Sequence, residues 1–354
     1  MRGYVLRAAG RAVWKETPMP CVGPYDALVR PTVVAICTTD VHLIETAARP
    51  TAIGKVIGHE AVGIVTAVGE HVRDFRAGDR VVLPAVVADW RHPRAQRGEA
   101  KYHQTNSPYR SADDRVGGVF SEYVLAIDAD MCLAKIPDRV SDVQAVMVSD
   151  MLATGFSGAE RLEIQYGETA VVLGIGPVGL MGVAAAALRG AGRIIAVGSR
   201  LRTVELAKHY GATDVVDYKK DDVVSQIRAL TGGEAADSVL IASGGEVSDQ
   251  FTVAMELAKL GGHVACVSGF YGEQSVTIPL KLWNWGVTEK FVTGVLAGAG
   301  RDYLERLLAL IECGRIDPSP LAAPILRGWG GVEEGLDLMR RKDPDVIKPI
   351  VLID

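Results

Sequence analysis

A chain of 354 residues exceeds what one ordinary hydrophobic core organises, so two domains are expected. Hydrophobic residues make up 48% and charged residues 23%, which is globular composition and argues against disorder. The net charge of −5 and a pI near 5.9, with no basic run, argue against a protein that binds a phosphate backbone.

The N-terminal part, to about residue 150, reads as mainly β. Short β-rich runs recur at Ala27–Val34, Ala61–Val68, Arg80–Val87 and Phe120–Ile127, punctuated by turn signals such as Ala77-Gly78-Asp79. An irregular, partly closed antiparallel barrel is expected there. Asp89 to Gly118 is polar and reads as a long surface lobe, of the kind that is often functional. At Ser141 the pattern turns helical. Ser141 suits an N-cap with Gln144 as its capping-box partner, and Asp150 falls within or near this segment. A buried acid there is costly unless it is paired or bound to a metal.

From Glu168 strands and helices alternate. Expected strands are Ala170–Leu173, Ile194–Val197, Asp214–Asp217, Ser238–Ile241, His263–Val267 and Phe291–Val295. Expected helices are Val178–Leu188, Val204–Tyr210, Val223–Leu230 and Gln250–Leu260, with Gly190, Gly211, Gly232 and Gly261 where they stop. That is the pattern of a doubly wound parallel sheet, although the last crossover, Phe270 to Glu289, is less clearly helical. Thr169 to Leu188 is uncharged and long enough for a membrane span. The glycine turn in its middle fits a buried strand, turn and helix better. After Gly298, a helix (Asp302–Cys313), a second helical run (Val332–Arg340) and a strand (Ile347–Ile353) are expected to return to the first domain.

The five cysteines are scattered, odd in number and lack a Cys-x-x-Cys pair, which argues for a reducing compartment and against a disulfide framework. No secretory signal pattern opens the chain. Cys21, Cys132, Cys266 and Cys313 read as small buried apolar residues. Cys37 differs. It precedes Asp40 and His42, and Gly58-His59-Glu60-Ala61-Val62-Gly63 follows. With Asp150, these stretches offer a thiolate, an imidazole and carboxylates, a set that suits zinc. Cys37, His59 and Asp150 would be the ligands, with Glu60 as an exchangeable fourth ligand or a supporting group.

The second signal is Gly174-Ile175-Gly176-Pro177-Val178-Gly179, placed between an expected strand and an expected helix. Gly174 allows the tight turn, Gly176 lets the backbone approach a pyrophosphate, and Gly179 permits close packing of helix and strand. The helix N-terminus then favours the phosphates. The next strand ends in Gly198-Ser199-Arg200, with no acid for a ribose 2′-hydroxyl. A small residue, a hydroxyl and a guanidinium suit a 2′-phosphate, so NADP(H) is expected over NAD(H).

Together these motifs resemble the zinc-dependent medium-chain alcohol dehydrogenases, over essentially the whole chain. The likeness is greatest to bacterial NADP-dependent secondary alcohol dehydrogenases, through the blocks Leu173–Met181 and Arg189–Arg200 and through Asp150 in place of a cysteine ligand. The resemblance implies an α/β protein. A GroES-like irregular β-barrel catalytic domain (residues 1–153 and 297–354) joins a Rossmann doubly wound parallel sheet (residues 154–296). It implies reversible hydride transfer between secondary alcohols and ketones, with one catalytic zinc as Lewis acid. No cysteine lies between Cys37 and Cys132, so a structural zinc is not expected. The resemblance also supports Thr39 and His42 as a proton relay, Tyr218 beside the adenine nucleotide, and Ala85 and Leu296 in the substrate pocket. The resemblance also places Tyr109 and Arg110 in the pocket, near where relatives carry a tryptophan in the lobe. With no tryptophan between Trp90 and Trp283, the pocket wall differs, and bulkier ketones are expected to fit. A cytoplasmic homotetramer is expected, without nucleic-acid or membrane partners. The alternatives are a zinc polyol or sugar-alcohol dehydrogenase, or a zinc-free NADPH-binding protein of quinone-reductase or structural type.

Overall fold

The chain opens with an antiparallel hairpin of β1 (Arg2–Ala8) and β2 (Arg11–Glu16), turned at Gly10 with φ +71°. The sequence reading passed over it, although two β-rich runs around a glycine turn signal a hairpin. Next come β3 (Ala27–Ala35), β4 (Glu60–Val68) and β5 (Arg80–Leu83), paired antiparallel in that order. β6 (Val124–Ala126) adds to β3, and β7 (Ala134–Lys135) adds to β5. β5 stops short of the expected Val87 because Pro84 has no N–H for the ladder. The run from Phe120 shrinks to β6, since Phe120 is fully buried and its carbonyl accepts from Tyr4 N at 2.8 Å. Helices α1 (Thr38–Thr46), α2 (Ala129–Cys132) and α3 (Asp142–Val146) connect these strands, and α3 has the expected Ser141–Gln144 capping box. The lobe after β5 holds only short helical turns between Ala95 and Tyr102, around buried Ala88, Ala95 and Ala100.

The computed structural model describes residues 1–243, 247–270 and 275–353, which form two units, Met1–Ala153 with Gly298–Asp354, and Thr154–Ala297. α4 (Ala153–Arg161) leads to the strands of the second unit: β8 (Thr169–Leu173), β9 (Arg193–Val197), β10 (Asp214–Val216), β11 (Ala236–Ile241), β12 (Ala258–Cys266) and β13 (Phe291–Gly294). All their pairings are parallel, in the order β10-β9-β8-β11-β12-β13, with the switch point beside β8. The crossovers are α5 (Pro177–Leu188), α6 (Leu201–His209), α7 (Val223–Thr231) and α8 (Val247–Leu257). Gly232 caps α7 in the left-handed region as expected, whereas Gly261 lies inside β12, because α8 ends early and the strand starts at Ala258. The crossover into β13 includes only a short 3-10 turn, Asn284–Gly286, and residues 271–274 of it lie outside the described residues. Val171, Ile195, Val239, Ile241 and Val264 form the centre of this unit's core. The uncharged stretch from Thr169 is β8, a turn and α5, and among the described residues no helix is long and apolar enough to cross a membrane.

The chain then adds α9 (Arg301–Glu312), β14 (Ala322–Arg327), α10 (Gly330–Arg341) and β15 (Lys348–Leu352) to the first unit. β15 pairs antiparallel with β3 and parallel with β14, completing a seven-stranded, mainly antiparallel sheet. Val332 and Leu336 of α10 and Val351 of β15 join Ile36 and Val65 in one core. An irregular, mainly antiparallel unit together with a doubly wound parallel one is the expected α/β class. Two cysteines depart from expectation. Cys132 and Cys266 are buried, but Cys21 and Cys313 are exposed; Cys313 caps α9 away from its buried Leu304–Leu308–Ile311 face.

Candidate metal and cofactor sites

Antiparallel pairing of β3 with β4 sets Ala35 opposite Glu60. Cys37 lies two residues beyond the end of β3, and His59 immediately precedes β4, so the ladder brings thiol and imidazole to one sheet end. Gly58, at φ +94°, makes the turn into β4, and a Cβ there would lie 2.6 Å from the Phe120 ring. Asp150 arrives on a π turn, Val148–Leu152, a form that recurs at functional sites. Its neighbour Ser149 accepts from Ala85 N at 3.0 Å, which ties the turn to the strand end. One ligand atom each from Cys37, His59, Glu60 and Asp150 lies within 4.8 Å of the others. His59 Nε2 faces Glu60 Oε1 at 3.5 Å and Asp150 Oδ2 at 3.6 Å.

The chemistry of this set fits zinc: a thiolate, an imidazole and carboxylates converge, and zinc accepts all three donor types. A second observation agrees. Glu60 Oε2 is buried with no hydrogen-bond partner among the described residues, a costly arrangement that a cation relieves.

Three supporting residues surround the set, and two of them escaped the sequence reading. Asp40 is fully buried in α1 and its Oδ1 lies 2.9 Å from His59 Nδ1. That contact holds a proton on Nδ1, so Nε2 is the ring nitrogen that a metal would take. Asp40 Oδ2 also accepts from Cys37 N at 3.1 Å, so one carboxylate orients two members of the set. Lys348, buried in β15, places Nζ 2.5 Å from Glu60 Oε1. Tyr109, read from the resemblance as pocket wall, is only 5% exposed, and its hydroxyl bonds Asp40 Oδ1, accepts from Gly58 N at 2.6 Å and lies 3.3 Å from His59 Nδ1. The Asp40 spacing from Cys37 is the one local signal that pointed toward this shell. Lys348 had none, being 288 positions from Glu60.

Burial disfavours the His59 imidazolium, but the charge of Asp40 and the hydrogen bonds to Asp150 and Asp40 outweigh it, so its pKa lies well above the ordinary histidine value. Burial also raises the Glu60 carboxyl, with Lys348 opposing and Asp150 adding to the rise. For Lys348, burial works against the charge, yet Glu60, Cys37 and Asp150 overcome it and hold the ammonium protonated. Tyr109 is raised by burial and by Asp40.

Thr39 and His42 lie three residues apart on α1, hence on one helix face, and both are half-buried. Ala85 is half-buried beside the π turn, and Arg110 is exposed. Leu296 belongs to the second unit and is 39% exposed.

A cleft of ≈ 430 Å³ opens at the C-terminal ends of β8 and β9 in the second unit, lined by Gly174, Gly176, Ser199, Arg200, Tyr218 and Ser243 among others. Ile175 and Gly198 line it too, whereas Pro177, Val178 and Gly179 begin α5 behind it. Gly174 takes φ +93°. A Cβ on Gly179 would fall 1.8 Å from Gly174 O, while one on Gly176 would meet nothing within 4 Å. So Gly179 is required by packing within the turn, and Gly176 keeps space open for a ligand. No acidic residue lines the cleft among the described residues, and Ser199 Oγ is buried there without a hydrogen-bond partner. Arg200 is the N-cap residue of α6, and Tyr218 is 55% exposed.

Comparison with known proteins identifies the family. Residues 23–138 match the alcohol dehydrogenase GroES-like domain, and residues 177–312 match the zinc-binding dehydrogenase family. The chain is 44% identical to the NADP-dependent isopropanol dehydrogenase of Thermoanaerobacter brockii and 40% identical to that of Clostridium beijerinckii, each match covering 100% of both chains. Its structure is similar to that of an alcohol dehydrogenase from Thermus sp. ATN1, with a TM-score of 0.88 at 29% identity over 100% of both chains. The chain belongs to the zinc-dependent medium-chain alcohol dehydrogenases.

Proposed function

We infer that this protein is a zinc-dependent oxidoreductase that interconverts secondary alcohols and ketones by hydride transfer to and from NADP(H). The observation that carries it is the convergence of Cys37, His59, Glu60 and Asp150 within 4.8 Å, in a chain with full-length likeness to NADP-dependent isopropanol dehydrogenases.

Cys37, His59 and Asp150 hold the zinc, and Glu60 stands by as an exchangeable donor. When bound, zinc supplies a Lewis acid that favours negative charge on the substrate oxygen. Asp40 fixes the tautomer and orientation of His59, and Tyr109 holds Asp40 in turn. Lys348 balances Glu60 and limits the mutual repulsion of the acidic donors. Thr39 Oγ receives the hydroxyl proton of the alcohol, and His42, one turn along α1, carries a proton outward. In the second unit, the amide groups at the start of α5 receive the pyrophosphate. Ser199 and Arg200 bond the 2′-phosphate, supported by the partnerless Ser199 Oγ and the lack of a lining acid, and Tyr218 lies against the adenine nucleotide. On this reading residues 1–153 and 297–354 are the catalytic domain and 154–296 the NADP-binding domain, with Ala85 and Arg110 of the catalytic domain facing the substrate.

The protein works as a homotetramer in the cytoplasm. Free cysteines support a reducing compartment, and the edge strand β13, with Phe291 61% exposed, supports a partner copy. The deciding assay is oxidation of NADPH and NADH against a ketone panel, on protein assayed for zinc. Turnover with NADPH, poor use of NADH and about one zinc per chain are expected. Protein without zinc and without turnover overturns the reading.

A further inference from the structure

A second cavity, ≈ 730 Å³, lies wholly within the first unit, between the segment after α1 and the lobe after β5. Its lining includes Arg49, Arg94, Arg110, His92 and His103, and no carboxylate among the described residues. Arg49 forms no ion pair with a carboxylate among the described residues. Arg94 spends only Nε, on Glu99 Oε2 at 2.8 Å, so its two terminal nitrogens remain for another acceptor. His92 Nδ1 accepts from Arg94 N at 3.2 Å, which puts the proton of the neutral ring on Nε2 and makes that atom a donor. The His92 and His103 rings lie 3.5 Å apart, centroid to centroid, on the cavity wall. Such a concentration of donors and positive charge, with no lining acid, is complementary to one kind of ligand.

We propose that this cavity binds an anionic group, a carboxylate or a phosphate, held by the guanidinium groups of Arg49 and Arg94 with His92 Nε2 as a further donor. Tyr109 lines the same cavity, and its hydroxyl holds Asp40 behind His59, so an occupant touches a residue that supports the metal ligands. The anion has two sources: a charged group on the ketone itself, which rests on the oxidoreductase reading above, or a free anion.

The test uses zinc-containing, NADPH-loaded protein, which keeps phosphate off the nucleotide cleft. Inorganic phosphate is titrated calorimetrically, and kcat/KM is measured for 4-oxopentanoate and its methyl ester, which differ in charge at the far end of the ketone. A wild-type preference for the acid of about tenfold, abolished in Arg49→Gln and Arg94→Gln, identifies the substrate as the source. Equal use of acid and ester, with saturable phosphate binding weakened about tenfold in those variants, identifies a free anion. Absence of both the preference and saturable phosphate binding, or variants that match wild type in both, overturns the proposal. Turnover of the ester in that case leaves the oxidoreductase reading standing. If neither ketone reacts, the phosphate titration alone decides the cavity, and the oxidoreductase reading is left to the ketone panel and zinc assay above.

Discussion

Lys348 and Glu60 make the sharpest energetic prediction. Both side chains are buried, at 1% and 0% exposure, and Nζ stands 2.5 Å from Oε1. Replacing Lys348 with Met keeps the volume and removes the charge. Glu60 is then left buried beside Asp150 and the Cys37 thiol, with Oε2 already lacking a partner. Breaking such a pair from one side costs about 3–5 kcal/mol, because the surviving charge loses its compensation. For a unit of this size that corresponds to a fall in unfolding midpoint of roughly 6–20 °C. The full loss is expected in metal-stripped protein. Added zinc restores part of it, since the ion replaces the lost positive charge and binding to the native state adds stability. Glu60→Gln in the same chain should recover much of the loss, because no ionised partner is then stranded. The assay is thermal and denaturant unfolding of the single and double variants, with and without zinc. A metal-stripped Lys348→Met protein that melts with wild type would refute the reasoning, as would a double variant less stable than the single.

Asp40→Asn keeps the shape but weakens the orientation of His59, and zinc affinity measured by chelator competition should fall about 10–100-fold. Gly176→Ala should fold normally, because its Cβ meets nothing, yet bind NADPH more weakly; unchanged nucleotide affinity would put the pyrophosphate elsewhere. Gly179→Ala should instead lower stability, because its Cβ would collide with Gly174 O, and a midpoint equal to wild type would contradict that packing. The pair Ser199→Ala/Arg200→Ala should raise the KM for NADPH by roughly tenfold or more while leaving that for NADH nearly unchanged; equal losses with both cofactors would remove the 2′-phosphate role.

Local patterns were enough for a large part of this protein. Strand and helix alternation from β8 to β13 follows from short-range periodicity, and the glycine fingerprint follows from the steric needs of one turn. Capping at Ser141 and the Cys37, His59, Glu60 and Asp150 donor types were equally legible, since a metal site advertises itself through residue chemistry. Where the reading missed, the deciding interaction was distant in sequence. β5 ends at Pro84, and Phe120 leaves the sheet to fill the core, an outcome its β propensity does not reveal. Tyr109 turns inward to Asp40 and His59, 69 and 50 positions away. Lys348 reads as an ordinary charge near the C-terminus, and only the β15–β3–β4 register delivers it to Glu60. Residue identities thus determined which chemistry was available. Tertiary structure alone decided which charges meet, because a buried ion pair or a shared hydrogen-bond acceptor depends on chain segments whose separation in sequence carries no periodic signal.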